Sequence, residues 1–271
     1  MNLKRRAVIL SIIIPVIMLT AAFLSARSWM GDSRLEYKNL NRIYQSPELL
    51  IYADYDRDLI YTENFQELYR ATVEKNKNLL GVEFDRQVAV VLLKWDGSNE
   101  RFFKSKGTTA YTELDKDKII MLDFATAPEK VIEENGSPFD LIYEDLFVHQ
   151  LEHLILRLNM ERLNAIQEEG VCLAMPLVII DKYPPLEDAD PEYISSIMKD
   201  DNLVNRNPSM ALSYYIISYF PEKLREFLET KSVYFFLDEN TDIKAEYEKW
   251  RMGLLSQALE KTTGVSDSQS Y

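Results

Sequence analysis

Three basic residues, Lys4, Arg5 and Arg6, precede a run of 20 residues without a charge, Ala7 to Ala26. A helix of that length spans about 30 Å, the thickness of a bilayer's hydrocarbon core. The run therefore divides the chain. Residues 1–26 are expected to form a single transmembrane signal anchor, and the chain beyond Ala26 must fold in water. The basic flank predicts an N-terminus in the cytoplasm and the rest outside the cell membrane. Removal of the run as a signal peptide, giving a secreted protein, is the competing reading. Cleavage after Ala26 would put Leu24, not a small residue, third before the cut. No cysteine lies near the end of the run to carry a lipid.

The chain after the run has the make-up of a globular domain. Over all 271 residues, 46% are hydrophobic and 28% charged, which excludes a disordered chain. Only 8 glycines are present, too few for a glycine-rich linker or phosphate loop. Cys172 is the one cysteine, so neither an intramolecular disulfide nor a multi-cysteine zinc cluster is available. The whole chain carries −13 and residues 1–26 carry +3, which leaves −16 on residues 27–271. That charge disfavours nucleic acid and anionic headgroups and favours solubility. Beyond Ala26 the chain is long enough to bury a core without crosslinks.

Apolar runs give the order of elements. Residues 27–47 read as a polar, partly helical juxtamembrane segment. Leu49 to Ala53, Val88 to Leu93 and Lys118 to Phe124 read as strands, the last two from continuous β-branched and apolar runs. Asn64 to Leu80 has one apolar helical face. Ser137-Pro138, with Asp140 behind them, opens a helix that runs to about Leu158. A second helix covers about Leu163 to Met175 and is expected to stop at Pro176. Pro184-Pro185 and Pro191 mark a loop. Residues 209–220, 222–230 and 242–259 read as helices, and residues 261–271 as a disordered tail. Strands first and helices afterwards predict an α+β domain over residues 48–260, a small mixed sheet followed by a helical half.

The chemistry concentrates in one place. His149 and His153 are the only histidines, and they stand at i and i+4 on a predicted helix. That spacing puts both rings on one helical face, where they could grip one metal ion. Glu169, followed by Gly170, comes 16 residues after His153 on the next predicted helix. An antiparallel return would bring its carboxylate to the same ion, with Glu168 the substitute if the register is off by one. Two imidazoles and one carboxylate leave a fourth position of Zn2+ open, the ligand set of a hydrolytic site.

On these residues the chain resembles the gluzincin metallopeptidases, whose motif is HExxH followed downstream by a Glu in an E-G sequence. The segments LFVHQLEHLIL and IQEEGVCLAM are similar to that family's active-site and glutamate helices. KIIMLDF sits where the family has its substrate-binding edge strand. Ser213-Tyr214 is similar to the family's Ser/Ala-Tyr helix, and Trp250 resembles a residue of its terminal helix. The likeness covers residues 48–256 and implies a zincin-like fold and a peptide or protein as substrate or partner. It also implies that Tyr214 donates to the oxyanion; the other reading of Tyr214 is a core tyrosine.

The likeness fails at the residue after the first histidine. The family has its catalytic glutamate there, and this chain has Gln150. An amide cannot take a proton from water, and general-base assistance is worth ~10²–10⁴-fold in rate. Glu152 directly precedes His153, so the segment also fits the inverted motif H-x-x-E-H. On a helical wheel residues 150 and 152 each lie about 80° from the midpoint of the two histidines, on opposite sides. Glu152 is thus a base only if substrate approaches from the mirror side. Cys172 lies near the presumed site, but buried cysteines are mostly inert. Two functions are expected: a membrane-anchored zinc peptidase, weak or inactive because of Gln150, or a pseudopeptidase that binds a peptide without cutting it. A purely structural envelope protein is the third.

Overall fold

The structure, a computed structural model, describes residues 40–53, 60–106, 108–123, 126, 139–180, 183–200 and 210–263. The expected anchor, Ser137-Pro138 and residues 264–271 lie outside them. Among the described residues no helix is long and apolar enough to cross a membrane.

Five strands form one mixed sheet: β1 (Asn41–Gln45), β2 (Leu49–Ala53), β3 (Val88–Lys94), β4 (Ala110–Glu113) and β5 (Lys118–Asp123), in the order β1-β2-β3-β5-β4. The central three are parallel, and β1 and β4 pair antiparallel at the two edges. Helix α1 (Ile60–Leu80) makes the crossover between the parallel strands β2 and β3. Gly81, at φ 66°, ends it in the left-handed conformation that glycine adopts without cost. Helix α2 (Gly97–Lys106) follows β3. The second half is helical: α3 (Phe139–Asn159), α4 (Ala165–Ile179), α5 (Pro191–Asp200), α6 (Met210–Tyr219), α7 (Leu224–Glu229), α8 (Val233–Glu239) and α9 (Thr241–Thr263). The α+β expectation holds at this level.

Strand alternation explains the two layers. Val88, Val90, Leu92, Ile119 and Met121 point to the face that packs on the helical half. Val91, Leu93, Ile120 and Leu122 point to the other, where Phe103 of α2 joins them. Helix α3 lies in the middle of the main core. Phe147, Val148, Leu151, Leu154, Ile155 and Leu156 are fully buried, and Phe147 meets Phe65 of α1 edge to face at 4.6 Å. Such a pair contributes about 0.5–1.5 kcal/mol beyond the area it buries.

Several boundaries differ from the sequence reading, each for a physical reason. KIIMLDF is not the edge strand. Its core, β5, is hydrogen-bonded on both sides, as its burial on both faces requires, and the edge beside α3 is β4. The sequence AYTE of β4 is only half buried and carries no apolar run, so it reads as loop. Helix α4 does not stop at Pro176 but continues through it to Ile179. Strand β1 lies inside the stretch that reads as juxtamembrane. Three short helices, α2, α5 and α8, occupy segments where the sequence predicts none.

The β1–β2 turn is held by charge. Glu48 accepts from Arg70 Nη2 at 2.8 Å, from Gln66 at 3.0 Å and from the Ser46 hydroxyl at 2.9 Å. The Arg70 guanidinium foremost holds the Glu48 carboxyl down at about 2, below its ordinary 4.5. A carboxyl depressed in the folded state stabilises above its unfolded pKa, and that stability is lost as pH falls from about 4.5 to about 2. Glu48→Gln is therefore expected to flatten the acid limb of stability in that window. Because Arg70 is 60% exposed, added salt should shrink the effect. Urea melts at pH 2.5, 4 and 6 check both; an unchanged acid limb refutes the assignment.

Candidate metal centre

Helices α3 and α4 pack as an antiparallel pair and bring three donors together. His149 Nε2 and His153 Nε2 are 3.2 Å apart. Glu169 lies 3.2 Å from His153 Nε2 through Oε2 and 3.6 Å from His149 Nε2 through Oε1. A tetrahedron with bonds of about 2.0–2.1 Å has edges of about 3.3–3.4 Å. Glu169 reaches the two rings through different oxygens, so the spacings show three donors converging within 4.8 Å of one another and not yet one tetrahedral face. A second group, His153, Glu168 and Cys172, also clusters, but it is wholly buried and shares His153.

The other side of the His153 ring is held. His153 Nδ1 is 2.6 Å from Glu168 Oε1, and Glu168 also accepts from Arg157 Nε. A carboxylate on Nδ1 fixes the tautomer and turns the Nε2 lone pair toward Glu169. Burial alone would depress His153, but the carboxylates Glu168 and Glu169 outweigh it and raise its pKa. His149 has no such support. Burial, and then the neighbouring His153, lower it to about 4, so its ring is neutral near pH 7. Glu169 is held ionised, first by its hydrogen bond to His153. A neutral imidazole, a second imidazole and a carboxylate, all converging, could hold one metal ion. A proton held by His153 competes for the same place.

Pro176 supplies a detail of the site. Proline has no N–H, so the carbonyl four residues earlier loses its helical donor. That carbonyl belongs to Cys172, and His149 hydrogen-bonds the Cys172 backbone. The Cys172 backbone thereby raises the His149 pKa, against the stronger lowering by burial. Cys172 itself is fully buried, and burial drives its thiol pKa upward, as suits an inert core residue.

A cavity of about 320 Å³ opens beside the triad, lined on one wall by His149, Gln150 and Glu169. Thr112 of β4 donates to the side-chain Oε1 of Gln150 at 2.8 Å and lies 3.1 Å from its backbone carbonyl. Position 150 therefore ties the edge strand to α3. Glu152 is turned away: it is fully buried, accepts from Asn76 of α1 at 2.6 Å and does not line the cavity. Burial raises its pKa to about 8, against the opposing pull of Asn76 and His153. Tyr214 does not line the cavity either. Its hydroxyl accepts from the Leu186 backbone N–H at 3.2 Å, and its ring stacks on Trp250.

Two groups near the triad escape a reading of the sequence. Asp145 lines the cavity one turn before His149, on the same helical stripe, and accepts from Tyr183 at 2.5 Å. Burial raises its carboxyl to about 6, with Tyr183 opposing and Glu144 adding. The i, i+4, i+8 spacing of Asp145, His149 and His153 is the signal that could have found it. Tyr193 of α5 also lines the cavity, on a helix that the surrounding prolines disguise as loop. No protein-family model matches this chain, and no curated protein is similar to it.

Pro176→Ala gives the Cys172 carbonyl a helical donor again, and the new N–H competes with His149 for it. Metal affinity should fall about 10–100-fold, while the melting temperature in chelator stays level or rises as the helix regains a hydrogen bond. Competition titration and thermal melts read the two separately. A fall in both would mean that Pro176 serves packing alone.

Proposed function

We propose that this chain is a zinc-binding, metallopeptidase-like domain that holds a peptide or protein segment in the cavity beside His149, His153 and Glu169. Hydrolysis there is weak or lost. An N-terminal anchor over residues 1–26 keeps the domain at the outer face of the cell membrane. The observation that supports the reading is the convergence of the three donors, within 4.8 Å of one another, next to a cavity whose wall holds an amide where hydrolysis needs a base.

Zinc at such a site supplies Lewis acidity toward a carbonyl or water. The chain's own residues decide how far that acidity is used. Burial keeps the His149 ring neutral, whereas His153, whose pKa Glu168 and Glu169 raise, must give up a proton before it can bind an ion. Glu169 brings the balancing negative charge. Gln150 accepts no proton, and its Oε1 is already engaged by Thr112. Glu152 is on the far side of α3, and the Tyr214 hydroxyl is committed to Leu186. The proton acceptor and oxyanion donor that the resemblance implies are therefore not supplied from the cavity wall. Binding without efficient turnover is the function that these placements support.

The full chain, purified in detergent, is expected to carry about one zinc per molecule by mass spectrometry. His149→Ala/His153→Ala should lose it. Absence of metal in the wild type after zinc is supplied overturns the reading. Gln150→Glu should keep the zinc content and raise peptide hydrolysis by ~10²–10⁴-fold. Wild-type turnover that Gln150→Glu does not increase would show that another group serves as base.

A further inference from the structure

The cavity has a second recognition element that the metal centre does not use. Asp145 stands in its wall, a turn along α3 from His149. One of its oxygens takes the Tyr183 hydroxyl; the other, Oδ1, is buried and finds no hydrogen-bond partner among the described residues. An ionised carboxylate with an unanswered oxygen in a desolvated place is costly unless a cation meets it. The described lining offers none. Its ionisable side chains are Asp145, Glu169, His149 and the phenol of Tyr193, with no lysine or arginine. Most of the remaining wall is apolar: Leu146, Leu173, Pro176, Leu177 and Met210.

Those two features together describe a ligand. The carboxylate asks for a positive charge, and the apolar wall asks for a hydrocarbon stem leading to it. Lysine is built that way, with a flexible aliphatic stem and a compact ammonium that donates up to three hydrogen bonds. Tyr193, 38% exposed at the same cavity, adds an aromatic face of the kind that attracts cations. Glu169 cannot serve as the counter-charge, because His149 and His153 already engage it. Among the described residues Glu144, next in the chain, and Tyr183 and Tyr193 across from Asp145 are the groups that face it, and none of these is cationic.

We infer that the cavity selects a basic side chain, lysine above all, with Asp145 as the counter-ion and Leu173, Leu177 and Met210 packing its stem. This deepens the peptide-binding reading above and rests on it for the ligand's being a peptide, though not for the charge preference.

The test compares two probes with the same four-carbon side-chain stem, N-acetyl-lysine methylamide and N-acetyl-norleucine methylamide, of which only the first carries a terminal ammonium. Binding to the zinc-supplemented full chain in detergent is read by calorimetry. Lysine should bind about tenfold more tightly, as a charge-assisted hydrogen bond implies. Asp145→Asn, which keeps an acceptor for Tyr183, should erase the difference. Equal binding of the two probes by the wild type overturns the inference without any need of the variant. So does a preference that survives in Asp145→Asn. Longer peptides that bind without regard to lysine would sink the inference and leave the cleft reading standing. A lysine preference for the small probe, with no peptide binding, would do the reverse.

Discussion

From Glu144 to Leu156 helix α3 is buried almost all round, yet it is rich in polar groups. Glu144, Asp145, His149, Gln150, Glu152 and His153 stand among its core leucines and aromatics. In such surroundings every polar side chain must find a partner or cost free energy. The neighbours of α3 are arranged to answer. Asn76 of α1 meets Glu152, Thr112 of β4 meets Gln150, Tyr183 meets Asp145, and Glu168 and Glu169 of α4 meet the histidines. The site is therefore less a pocket added to a fold than the place where the fold answers most of the polarity of its central helix, with Asp145 Oδ1 and Glu152 Oε1 left without a hydrogen-bond partner among the described residues.

Charge is balanced locally in the same way. Arg157 closes on Glu168 from the solvent end of α3, and Glu168 closes on His153. Glu168 is almost wholly buried, yet it stays ionised because a histidine and a guanidinium share it. Glu152 has only an amide and a more distant imidazole, and its carboxyl is pushed the other way. Two glutamates, each next to a histidine in space or sequence, thus take opposite protonation states. Burial prevails at Glu152, while at Glu168 the histidine and the guanidinium outweigh it.

Much of this was legible in the sequence, and the remainder was illegible for physical reasons. The i, i+4 histidines and the Glu-Gly helix after them could be placed because helical spacing is a strong local signal. Strands β2 and β3 were readable from apolar runs. Strand β4 was not, because an edge strand half exposed to water needs no apolar run. Pro176 misled in the usual direction. A proline inside a helix costs a hydrogen bond, which tertiary packing of fully buried neighbours here outweighs. The side to which Glu152 turns was likewise beyond local inspection. A wheel gives its angle from the histidines but not which neighbour packs there; α1, far away in sequence, supplies Asn76.

The burial of α3 also bears on how genetic data on this chain are to be read. A helix at the centre of the core does not open on its own; its amides become accessible only when the whole domain does. Substitutions in it therefore act first on how much folded protein a cell keeps, since a loss of 1–2 kcal/mol changes abundance several-fold. A lost phenotype at His149 or Gln150 is as much the mark of a cell emptied of the protein as of a silenced site. Protein level has to be counted before any residue of this helix is credited with chemistry.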